Sequence, residues 1–205
     1  MIHKILYEFK IIILKKEKLY SKCKWKNFEL FLKVIKWINL LLILQHKIFW
    51  GDFMRYDRKL AVEYARKWAF ERNPKYYNYD SLGGDCTNFI SQCLYTGIGE
   101  MNYRGYGWYY INANKKSPSW TGVEYLYNFL IANKYEGPRG SVVTRDEIEI
   151  GDIIQLSFNG TLFGHTLFVT SINGNIIKIC SHTIDSKDRN LDSYSYQDIR
   201  FIKIT

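Results

Sequence analysis

Gly83-Gly84-Asp85-Cys86-Thr87-Asn88-Phe89-Ile90-Ser91-Gln92 is the stretch on which the reading of this chain turns. Two glycines loosen the backbone, Asp85 is a residue type that caps helices well, and Cys86 takes the first helical position. Phe89, Ile90, Cys93 and Leu94 recur at helical spacing, so this face is buried; the helix runs to Tyr95 or Thr96, where Gly97 stops it. Cys86 lies one turn before Phe89 and Ile90, so its sulfur points inward at the helix end. Unpaired N–H groups and the positive end of the helix dipole favour a thiolate at such a place. Cys93 reads as a small buried hydrophobe, and ~10 Å of helix keeps it from bridging to Cys86.

The sequence on the N-terminal side falls into two parts. Residues 1–53 carry 11 Lys against 4 acids, a net charge of +7, whereas residues 54–205 carry only +2. The body is therefore nearly neutral and holds no basic footprint for nucleic acid. The apolar run Trp37–Leu44 is too short for a membrane span, which needs ~20 residues, and no small-residue cleavage site follows it. Three readings of this leader stand: translation begins at Met54, residues 1–53 form a membrane-associated or export leader, or they form a helical arm on the domain. The first implies a cytoplasmic protein, the second a membrane-associated or secreted one, and any membrane contact runs through residues 1–53. From Asp57, an N-cap residue type, Leu60, Ala61, Tyr64, Ala65, Trp68 and Ala69 form a helical stripe that ends before Asn73-Pro74.

Beyond the cysteine helix comes an aromatic loop (Tyr103 to Tyr110), then a helix introduced by Ser117-Pro118 with Val123, Leu126, Tyr127 and Leu130 on one side. Strands follow at Ile153–Phe158, Gly164–Ile172, Asn175–His182 and Arg200–Ile204. Helices first and strands after, with no βαβ alternation, predict an α+β domain with an antiparallel sheet. Asn173-Gly174 reads as a two-residue hairpin turn, which sets Ile172 opposite Asn175 and hence His165 opposite His182. Directly opposed residues have Cβ atoms ~4.5–5.5 Å apart, so the two imidazoles are expected to meet on the face that also carries Leu167, Val169 and Cys180.

A thiol at a helix start, a base and an orienting group have the form of a cysteine hydrolase. Two other readings stay open: metal binding by Cys86, His165 and His182, and a catalytically silent peptide- or wall-binding module. Four cysteines with no CxxC pair support neither a disulfide scaffold nor a structural zinc site, and no cofactor motif is present.

These residues resemble the bacterial putative amidase domain family, with its GGDCTNF-type motif, itself similar to the papain-like NlpC-type and CHAP-type cysteine peptidases. The resemblance covers the alanine-rich helix, Gly83–Cys93, Ser117–Thr121, the Gly151-Asp152 turn, His165 with its strand, and His182-Thr183. It implies a papain-like (NlpC-like) domain over residues 54–205, with a catalytic helix packed on an antiparallel sheet. It further implies Cys86 as nucleophile, His165 as general base and His182 as the third, orienting residue, with Asp185 as a substitute for the third. The oxyanion would be held by the Cys86 N–H and a neighbouring donor such as Tyr79, with Asp85, Asn88 and Gln92 in support. The implied substrate is a peptide or amide, with peptidoglycan stem peptides suggested by the superfamily.

Overall fold

The computed structural model describes residues 56–205; the leader, with its three readings, lies outside the described residues. Helix α1 (Arg58–Trp68) begins where Asp57 accepts a hydrogen bond from the Leu60 N–H and buries Ala61, Val62 and Ala65. Helix α2 (Cys86–Ile98) buries Phe89, Ile90, Cys93 and Leu94 completely. A short helix α3 (Pro118–Thr121) leads into α4 (Val123–Ala132), whose Leu126 and Leu130 face the core. Between α2 and α3 the chain makes a small ribbon of β1 (Tyr110–Asn112) and β2 (Lys115–Lys116).

The sheet is built from β3 (Gly140–Val143), β4 (Ile153–Ser157), β5 (Phe163–Asn173), β6 (Ile176–Ser181), β7 (Ser186–Asn190) and β8 (Asp198–Ile204). Its order is β3-β8-β4-β5-β6-β7 and every neighbouring pair is antiparallel. The expected α+β class with an antiparallel sheet is therefore present. All five residues of β4 are buried, as a central strand covered on both faces requires. Alternation sends Ile153, Phe168, Cys180, Ile202 and Ile204 to a core shared with the helices. Ile154, Leu156, Leu167, Val169, Ile179 and Phe201 go to a second apolar cluster on the other face, closed by Ile148, Leu191 and Tyr194.

Two local expectations are corrected here. Gly97 does not stop α2; it lies inside the helix, and its lack of a side chain admits the Tyr56 ring, which would stand 2.5 Å from a Cβ at that position. Gly99, in the left-handed region with φ 78°, ends the helix.

The β5–β6 hairpin also differs. Asn173 pairs with Ile176, so the turn residues are Gly174-Asn175 rather than Asn173-Gly174. An irregularity at Thr170 then shifts the ladder by one, and Phe168 pairs with Cys180. Thr170 is held by contacts remote in sequence: its hydroxyl donates to Asp188 Oδ1 (2.6 Å) and its carbonyl accepts from Arg66 (3.2 Å). His165 consequently does not oppose His182. It stays with Leu167 and Val169 on the second face, opposite Leu156 of β4, whereas Cys180 and His182 turn to the helix side.

Candidate active site

The start of α2 is fixed by residues of four separate segments. Gly83 and Gly84 both adopt positive φ (99° and 110°), and a Cβ on Gly84 would stand 2.7 Å from the Thr183 hydroxyl oxygen. That hydroxyl accepts from the Asp85 N–H at 3.1 Å. Thr183 itself has φ 78°, a costly conformation for a β-branched residue, so the close approach to α2 is bound up with backbone strain.

Asp85 occupies the N-cap position of α2, but its carboxylate caps nothing there. It accepts instead from the Tyr79 N–H (3.0 Å) and the Asn88 side-chain amide (2.8 Å) through Oδ1, while Oδ2 lies 2.7 Å from His182 Nδ1. The other ring nitrogen, Nε2, donates to the Trp68 carbonyl at the end of α1 (2.8 Å), and the ring stacks on Phe89 at 3.9 Å. Both nitrogens of His182 are thus engaged with Asp85 and Trp68, and neither is free to orient His165. The expected third-residue role is corrected to an anchor joining α1, α2 and the end of β6. The same engagement removes His182 from a metal-binding trio; among the described residues no group of three or more His, Cys, Asp or Glu is disposed to hold a metal ion.

Cys86 is 6% exposed, and among the described residues its sulfur has one polar neighbour, the Thr87 hydroxyl at 3.8 Å. Its backbone N–H, at the first helical position, lies outside the helix's own ladder. Thr87 in turn meets the Thr166 hydroxyl at 3.1 Å, which ties the first turn of α2 to β5 one residue beyond His165. His165 is 3% exposed, with Phe158 and Tyr194 at 6.2 and 6.1 Å between ring centroids. Its Nε2 is buried with no hydrogen-bond partner among the described residues, and no hydrogen bond joins the ring to Cys86. Burial, helped by the positive charge of Arg189, holds its pKa down at about 4.

The remaining expected residues divide. Asn88 donates to the Tyr77 carbonyl and accepts from Trp120 Nε1, so it supports the loop before α2. Gln92 accepts from the Tyr64 hydroxyl and braces α1 against α2. The Tyr79 hydroxyl faces the Ala113 carbonyl at a long 3.5 Å, and burial first, then Tyr110 and Asp85, raise its pKa to about 12. Asp185 is bound two-point by Arg72 (2.8 and 3.0 Å). Arg72 also binds Asp80 two-point and lies 3.8 Å from Asp85. Arg72 carries no local sequence signal that marks it and matters because distant segments converge on it, whereas Thr183 was marked only through the family resemblance at His182-Thr183.

The site thus presents a thiol at a helix start, with the helix clasped by Asp85 and His182 and braced by Thr87 on a histidine-bearing strand. The profile of the putative amidase domain matches residues 55–205. The chain belongs to that family. The amidase domain is also 37% identical over 154 residues to Uncharacterized protein YhbB of Bacillus subtilis (strain 168), a match covering 72% of this chain and 47% of that protein. The chain thus spans about half the length of this relative. No solved structure matches, so the papain-like part of the expected fold has no structural neighbour behind it.

Proposed function

We propose that residues 54–205 form a cysteine-dependent amidase that opens an amide bond through a thioester on Cys86. The observation that carries this reading is the placement of a buried thiol at the first position of α2, in a chain whose family is that of an amidase. His165 is the base in this scheme: it is the described histidine with an unpartnered ring nitrogen, and at neutral pH its ring is uncharged, the form that accepts a proton. The thiol proton passes to His165 as sulfur attacks the carbonyl carbon, a transfer that requires the ring to close on Cys86, with which it shares no hydrogen bond in this structure. The Cys86 N–H, at the positive end of the α2 dipole, donates to the tetrahedral oxyanion. The C–N bond then breaks, protonated His165 supplies the leaving amine, and water attacks the thioester to release the acid and restore the thiol. Asp85 and His182 position the helix start. The substrate class is a peptide or amide, with peptidoglycan stem peptides the suggestion of the resembled superfamily.

The test is labelling by a thiol-directed probe together with turnover of a panel of amide substrates. Cys86→Ser is expected to abolish both without unfolding the domain, and His165→Gln to slow turnover by ~10²–10⁴. Equal labelling of wild type and Cys86→Ser, or full turnover by either variant, would end the proposal. A second reading, a peptide-binding module without chemistry, is favoured by the missing hydrogen bond between Cys86 and His165. It predicts no turnover by wild type and peptide retention by Cys86→Ala.

A further inference from the structure

The helix-facing side of the sheet carries a polar row that the proposed chemistry does not use. Thr166 of β5 stands directly opposite Gln155 of β4, and Gln155 directly opposite Arg200 of β8. The neighbouring row on that face, Phe168, Ile153 and Ile202, is apolar and belongs to the core. Thr166 and Gln155 are fully buried, a costly place for a hydroxyl and an amide unless each finds its partners. We propose that this row is a directed hydrogen-bond relay ending on Cys86, with Thr87 as its last donor and Arg200, Gln155 and Thr166 as positioning residues behind it. The assignment deepens the reading of Cys86 as nucleophile and rests on it.

The direction follows from what each group can donate and accept. A guanidinium only donates, so Arg200 Nε donates to Gln155 Oε1 at 2.6 Å. The Gln155 side-chain nitrogen then faces two acceptors, the Val123 carbonyl at 3.0 Å and the Thr166 hydroxyl oxygen at 3.3 Å. A carbonyl admits only a donor, which fixes the amide orientation a second time. Having accepted from Gln155, Thr166 has among the described residues one acceptor for its own proton, the Thr87 hydroxyl oxygen at 3.1 Å. The opposite polarity would leave that proton buried without a partner. Thr87, its oxygen taken by Thr166, turns its proton to its remaining polar neighbour, Cys86 Sγ at 3.8 Å. A donor aimed at sulfur favours thiolate over thiol, because the bond strengthens when its acceptor becomes charged. Arg200 anchors the far end, its guanidinium carbon 3.7 and 4.0 Å from the Tyr127 and Phe163 ring centroids. Bonds that run in one sense polarise one another, so each link strengthens the last.

The experiment follows alkylation of Cys86 by iodoacetamide against pH in the full chain, with peptide mapping to isolate that cysteine. Thr87→Val, nearly isosteric, is expected to move the pH midpoint up by about one unit, a roughly tenfold smaller thiolate population at a pH below it. Thr87→Ser, which keeps the hydroxyl, is expected to retain the wild-type midpoint. Thr166→Val leaves Thr87 in place and is expected to move the midpoint the same way by a smaller amount. An unchanged midpoint in Thr87→Val would overturn the donor, and an unchanged midpoint in Thr166→Val would overturn the relay. Asp85, His182 and Arg72 around the helix start and His165 on β5 are the same in all these proteins, so the differences report the hydroxyls. Should a valine variant fail to fold, NMR of the wild-type hydroxyl protons decides the matter. Contacts from the Thr166 hydroxyl proton to Thr87, and from the Thr87 hydroxyl proton to the Cys86 β-protons, are expected; the reverse orientation would overturn the proposal. Alkylation needs no amide substrate, so failure of the relay and failure of the hydrolase reading are separate results.

Discussion

His165 makes the stability of this domain depend on pH in a way that can be worked through. Its folded pKa of about 4 lies below the ordinary value of 6.5, with burial as the main cause. The unfolded chain therefore binds a proton more readily than the folded one between those values. The contribution is fully present above pH 6.5 and is lost as pH falls toward 4. Between pH 7 and pH 5 the loss amounts to roughly 2 kcal/mol, from the separation of the two pKa values. Acidic side chains titrate in the same range, so the quantity to measure is a difference between proteins. Urea unfolding of wild type and His165→Gln at pH 7 and pH 5 provides it, because the variant has no proton to bind at that position. Wild type is expected to lose about 2 kcal/mol more than the variant over this interval. Parallel losses in the two proteins would mean that His165 is solvated in the folded state, and the account of its environment between Phe158 and Tyr194 would be wrong.

Asp85→Asn removes the carboxylate that holds His182 Nδ1 at 2.7 Å in a fully buried pair. It should cost about 3 kcal/mol, a fall in Tm of roughly 6–12 °C by calorimetry, and His182→Ala should add much less in the double variant than alone. The glycine pair separates strain from collision: Gly83→Ala meets no atom within 4 Å, whereas Gly84→Ala puts a Cβ 2.7 Å from Thr183 Oγ1. Both residues have positive φ, so Gly83→Ala should cost about 1 kcal/mol and Gly84→Ala at least ~2 kcal/mol in denaturant unfolding. Among the described cysteines, iodoacetamide should modify Cys86 first under native conditions. Cys93 and Cys180 are fully buried, and burial, the main cause, pushes both thiols up, Cys180 to about 11. Peptide mapping that finds Cys93 or Cys180 labelled before Cys86 would contradict this order.

Much of this was legible from local pattern. Spacing alone placed Phe89, Ile90, Cys93 and Leu94 in the core, because helical periodicity is a property of neighbouring residues. The N-cap of Asp57 and the strands at Ile153, Gly164 and Arg200 followed from local chemistry of the same kind. β3 and β7 escaped notice because Gly140–Val143 is too short a run, and Ser186–Asn190 too polar, to show a strand pattern. The GGDCTNF stretch identified the family, and the family profile covers the same segment.

What tertiary structure alone decided is where the polar groups of that stretch point. Asp85 suits an N-cap by type, yet His182, Tyr79 and Asn88 compete for its carboxylate, and a buried charge goes where donors converge. The two histidines were paired by counting from an Asn173-Gly174 turn along an unbroken ladder, and neither condition holds, the turn residues being Gly174-Asn175. Thr170, captured by Asp188 and Arg66, breaks the ladder by one residue. In a sheet one residue is the difference between two faces. His182 therefore anchors the helix while His165 lies on the other face, an outcome set by side chains more than a hundred positions apart in the chain.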